Sequence, residues 1–81
     1  NIHLSDCALT NAQTNSIVDR IYADRALFTA AAPNLNIGGT NTDPTGIFQS
    51  ACPPTTQLEE LWELKNDDCA EGTFNLWTVT Y

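Results

Sequence analysis

Ile2 and Leu4 alternate with polar neighbours at the start of the chain, a period of two that predicts a short extended segment over residues 1–8. The period then changes. Ile17, Val18, Ile21, Tyr22 and Phe28 recur at spacings of three, four and seven, which lays one apolar stripe along a helix. Asp19, Arg20, Asp24 and Arg25 lie largely off that stripe. Thr10, with Gln13 three residues on, fits a capping box, in which the hydroxyl takes an orphan N–H and the amide reaches back. The pattern predicts a helix over Asn11 to Thr29, ended before Pro33, which pushes Ala32 out of the helical region.

Leu35 and Ile37 flank Asn36, the pattern of a very short strand with one face buried. Gly38 and Gly39 stop it, and Thr40 to Thr45 has the chemistry of a loop. Gly46 to Ala51 reads as one irregular helical turn carrying Ile47 and Phe48 inward. After the break at Cys52 to Thr55, Thr56 and Glu59 repeat the capping box, and Leu58, Leu61, Trp62 and Lys65 mark a helix of about ten residues. Glu59, Glu60 and Glu63 crowd its start, where the helix dipole favours negative charge, and read as a solvated acidic face. Phe74 to Tyr81 is strand-like throughout, with bulk in both registers. A strand apolar on both sides is sandwiched or covered by a neighbouring subunit.

The order is therefore helix, short strand, loop, helix, strand. Two tandem helix-strand units place two short strands side by side and parallel, with the helices packed on one face, an α/β arrangement. Residues 1–81 form a single small domain, of a size at which stability is marginal and a staple or a partner is expected. The chain opens on Asn1 and closes on Tyr81 within a strand-like run, which reads as a processed product or a fragment of a longer chain.

Charge sharpens this picture. Residues 1–40 carry three acids against two arginines, and residues 41–81 carry seven acids against one lysine, so nearly all of the net −7 lies in the second part. That surface repels phosphate backbones and anionic lipid, and nucleic acid is not an expected partner. No apolar run approaches the roughly 20 residues that span a bilayer, so membrane insertion is not expected. The cysteines are three, Cys7, Cys52 and Cys69, with no C-x-x-C. Cys52 and Cys69 bracket the second helix and could close a loop worth about 3 kcal/mol, with buried free thiols as the other reading.

Leu9-Thr10, the helix with Ile17 and Ile21, "LNIGGTN" at 35–41, "PTG" at 44–46, the helix with Leu58, Leu61 and Leu64, and "WTVTY" at 77–81 together form a recognisable pattern. It is similar to the leucine-rich-repeat-like helix-strand modules of structural and tail-associated proteins of bacteriophages and prophages, over about residues 9–81. The chain departs from that pattern in the long link "NDDCAEGTFNL" and in the interruption at Cys52 to Pro54. The resemblance implies a non-enzymatic virion module that associates with itself or with other virion proteins, and it supplies no catalytic residues.

Direct signs of chemistry are few. His3 is the lone histidine, in a terminal segment, and reads as a solvent-exposed spectator. Ser5, Ser16 and Ser50 lack a G-x-S-x-G context. Asp67, Asp68 and Glu71, or Asn41 and Asp43, offer oxygens at spacings that do not match an EF-hand loop, so no metal is assigned. The glycines of "LNIGGTNTDPTG" match neither G-x-G-x-x-G nor a P-loop, and no cofactor is expected. Aromatic side chains anchor interfaces, and Trp77, Val79 and Tyr81, on one face of the last strand, are the expected contact residues. Two readings follow: a virion assembly module, or a small secreted disulfide-stapled module recognising a host surface receptor, glycan or protein.

Overall fold

Capping residues set where both helices begin. In the computed structural model, which describes all 81 residues, α1 spans Asn11–Ala23 and α2 spans Gln57–Asn66. Thr10 accepts from the Gln13 N–H while the Gln13 side chain accepts from the Thr10 N–H, and Thr56 and Glu59 repeat the exchange. Three strands complete the chain: β1 (Ile2–His3), β2 (Asn34–Asn36) and β3 (Thr78–Thr80).

The first helix is shorter than its apolar stripe suggests. Asp24 (φ −100°, ψ 15°) ends α1, its N–H bonding the Arg20 carbonyl, and Arg25–Leu27 forms a 3-10 turn. The break lets the Arg25 guanidinium reach the Tyr22 carbonyl and Glu71, and Phe28 then turns extended to pack edge-on against Trp77, ring centroids 5.1 Å apart. No local breaker marks this point, because the cause is tertiary.

The sheet has one strand more than the periodicity predicts. Its order is β1-β2-β3, all parallel, with Ile2 opposite Leu35 opposite Val79 and His3 opposite Asn36 opposite Thr80. His3 therefore belongs to an edge strand, and its side chain is exposed. Alternation turns Leu35 inward, with Ile2 and Val79 half-buried beside it. Leu35, Ile37, Val18, Ile21, Leu58, Leu61, Leu64 and Trp77 make one core between the sheet and the two helices. On the other face Thr78 and Thr80 are exposed, so β3 is covered from one side only, and Phe74 to Leu76 lie outside it.

Irregular segments are fixed by side chains. Asn41, buried, accepts from the N–H groups of Cys7 (3.2 Å) and Leu9 (2.9 Å) and donates to the carbonyls of Leu4 (2.7 Å) and Ile37 (3.1 Å). One amide thus joins the exit of β1 to the exit of β2. Gly39, at φ +73°, has no room for a β-carbon beside the Asp6 carboxylate, and Gly46, at φ +109°, is held equally close to Thr56. Residues 46–51 make bends rather than the expected helical turn: Phe48 is half-buried and Ile47 is 66% exposed. Cys52 and Cys69 form a disulfide, Cα atoms 5.5 Å apart, and Cys7 is free and exposed.

Candidate interaction surfaces

The three residues expected at an interface have three different fates. Trp77 is 4% exposed and is a core residue, which removes it as a contact anchor: its ring packs against Phe28 in the apolar interior, and its backbone N–H bonds the Leu64 carbonyl. Val79 is half-buried over the helices. Tyr81, 40% exposed, lies at the rim, where its ring meets Phe48 at 5.5 Å and Phe48 in turn meets Trp62 edge-on at 4.9 Å. Lys65 stands over Phe48, and the Trp62 indole N–H donates to Asp68. Hydrogen bonds from Ser50 and then Trp62 hold the Asp68 carboxyl below its ordinary pKa. Ile47 and Leu76, 66% and 54% exposed, complete the exposed apolar side chains of the second part of the chain.

Backbone geometry is as informative as the side chains. Thr78 N–H bonds the Pro33 carbonyl at 2.9 Å and Ile37 N–H bonds the Thr80 carbonyl at 2.8 Å, so Thr78 and Thr80 face β2. In a parallel pair, alternate residues face opposite sides, which turns the N–H and C=O of Val79 away from the sheet. At the other edge Leu4 N–H bonds Asn36, and the backbone groups of His3 point outward in the same way. No strand pairs with either outer edge.

The acidic face expected on α2 is mostly internal. Glu59, 7% exposed, accepts from the Gln49 amide, from Thr55 N–H and hydroxyl, and from Thr56 N–H, and these bonds, Gln49 first, hold its pKa down to about 2. Glu63, 2% exposed, accepts from the Cys69 N–H and so ties α2 to the disulfide loop. Glu60 sits in the seam with α1, where burial first and then the neighbouring Asp19 carboxylate push its pKa up to about 8. Glu59 and Glu63 hold irregular loops down, a role that a helical wheel cannot display.

Of the carboxylates considered as metal ligands, Asp67, Asp68 and Glu71 are committed elsewhere. Asp67, the left-handed C-cap of α2, accepts from the N–H groups of Glu71 and Gly72, both at 2.9 Å. Glu71 takes Arg25 in two bonds of 2.8 Å, the bond to Arg25 lowering its pKa and raising that of the guanidinium. The Asp43 carbonyl accepts from Asn11. No three His, Cys, Asp or Glu side chains are grouped to hold a metal ion, and no helix is long and apolar enough to cross a membrane. The Arg25–Glu71 pair, with Arg25 also 4.1 Å from the Tyr22 ring centroid, is the long-range contact that periodicity could not show. Comparison with protein families, with characterised proteins and with solved structures finds no match.

Proposed function

We propose that the chain is a non-enzymatic assembly module that adds a second copy of itself along β3. The free edge of β3 carries this reading: Val79 turns its backbone N–H and C=O outward, and Tyr81 adds an exposed aromatic ring at the strand's end. An unpaired strand edge is a template for a further strand. The opposite edge, at His3, offers the complementary row of donors and acceptors, so copies can join head to tail in one continuing parallel sheet. A leucine-rich-repeat-like reading belongs with this, since the strand-helix alternation would let each unit bury the flank of the next. The setting in a phage or prophage particle, and docking to other virion proteins, rest on the sequence resemblance alone.

Sedimentation velocity from about 10 µM to 1 mM tests self-association in a range where edge pairing of this size should act. The wild-type chain is expected to sediment faster as concentration rises, and Val79→Pro, which removes an outward donor without cutting a bond to β2, is expected to remain monomeric. A wild-type chain that stays monomeric throughout removes the proposal.

The Cys52–Cys69 bridge favours a second reading, a secreted binding module that recognises a surface glycan or protein. Structural disulfides persist in oxidising compartments, and one that pins the loop after α2 suits a small domain there.

A further inference from the structure

A cleft of about 360 Å³ lies between the corner that follows α1 and the loop that precedes β3. That volume is at the small end of ligand sites, enough for one ring-sized molecule and its first contacts. Its walls carry Phe28 and Phe74, with Thr29, Thr73 and Asn75 beside them. Thr29 and Thr73 are exposed, leaving their hydroxyls able to face a ligand as donor or acceptor. Asn75 donates an amide N–H to the Ala30 carbonyl at 2.8 Å, which leaves its side-chain oxygen as an acceptor.

Charge selects among ligands. Arg25, the cation on the turn that leads into the cleft, is held in two bonds by Glu71 and by the Tyr22 carbonyl. No free positive group remains there to attract an anion, and the chain as a whole carries −7. What is left is apolar carbon from two phenylalanines alternating with three neutral polar groups. A pyranose ring has the matching surface, with C–H groups on its faces and hydroxyls around its edge.

The walls are also held in place. Arg25–Glu71 fixes one side to the other, Asp67 bonds the N–H groups of Glu71 and Gly72, and Trp77 supports Phe28 from behind. Gly72, at φ +65° with open space where a β-carbon would stand, keeps the mouth unobstructed. We propose that this cleft binds a single neutral sugar residue, with Phe28 and Phe74 against its C–H groups and Thr29, Thr73 and Asn75 on its hydroxyls. The proposal rests on the second reading above and gives it a ligand class and a location.

The test is an amide NMR titration of the full chain with the methyl glycosides of glucose, galactose and N-acetylglucosamine. At least one is expected to move the signals of Thr29, Gly72, Thr73 and Asn75 saturably, and Thr73→Val with Asn75→Ala is expected to weaken binding about tenfold. Those side chains are exposed, and an unchanged remainder of the spectrum shows that the variant is folded. No saturable shift from any of the three glycosides up to about 100 mM, well beyond ordinary weak-site affinities, overturns the proposal. Equal binding by the variant overturns it as well. Intact mass after alkylation, taken on the same sample, separates the two ideas: free thiols at Cys52 and Cys69 remove the secreted-module reading, whereas missing shifts with the bridge intact remove the sugar site alone.

Discussion

Glu60 shows how far one side chain's environment can depart from its position on a helical wheel. Packed between α1 and α2 beside Asp19, it keeps its proton in the folded state up to about pH 8, against an ordinary value of 4.5. Between those values the folded chain holds a proton that the unfolded chain has released, so the contribution of Glu60 to stability is fullest below about pH 4.5 and is lost as pH rises toward 8. Glu59 acts in the opposite sense below pH 4.5, losing its contribution as pH falls toward 2. Chemical denaturation at pH 5 and pH 8 is expected to show a loss of about 2 kcal/mol, allowing for solvent screening of a half-buried group. Glu60→Gln should abolish most of that difference. The sequence shows these glutamates as a cluster at a helix start; the burial it hides comes from α1 for Glu60, and for Glu59 and Glu63 from loops 49–55 and 67–71, whose paths have no periodicity to read.

At the level of elements, legibility follows the locality of the cause. Both capping boxes are local, and both helices start where Thr10 and Thr56 place them. The end of α1 is not local, since Arg25 leaves the helix to meet Glu71, 46 residues away, and the predicted extension to Thr29 fails there. Strand β1 lies inside the extended segment that the Ile2 and Leu4 alternation predicts, and two of its residues become a strand because Leu35 and Asn36 offer them a partner. Asn41 is the joint between these elements, and its type is visible in the sequence while its role is not. Asn41→Ala would leave two N–H groups and two carbonyls each missing a partner, and should cost about 3 kcal/mol in urea unfolding. Asn41→Asp should do no better, because it replaces a donor to Leu4 and Ile37 with an acceptor.

For the whole molecule, the sequence marks Trp77, Val79 and Tyr81 as one exposed face of the last strand, and of the three only Tyr81 is exposed. Trp77 fills the core, because the chain brings Phe28 onto it, and the exposed aromatic position falls to Tyr81 with Phe48 and Trp62 behind it. A net charge of −7 makes copies repel at low ionic strength, so assembly through β3 should strengthen as salt screens that repulsion. Amide hydrogen exchange at physiological salt, compared between dilute and concentrated samples, reads the edge directly. Outward-facing amides at His3 and Val79 should exchange quickly when dilute and slow together as concentration rises, while the amides of Thr78 and Thr80 remain protected in both. Unchanged exchange at His3 and Val79 at every concentration would contradict assembly through the sheet edges.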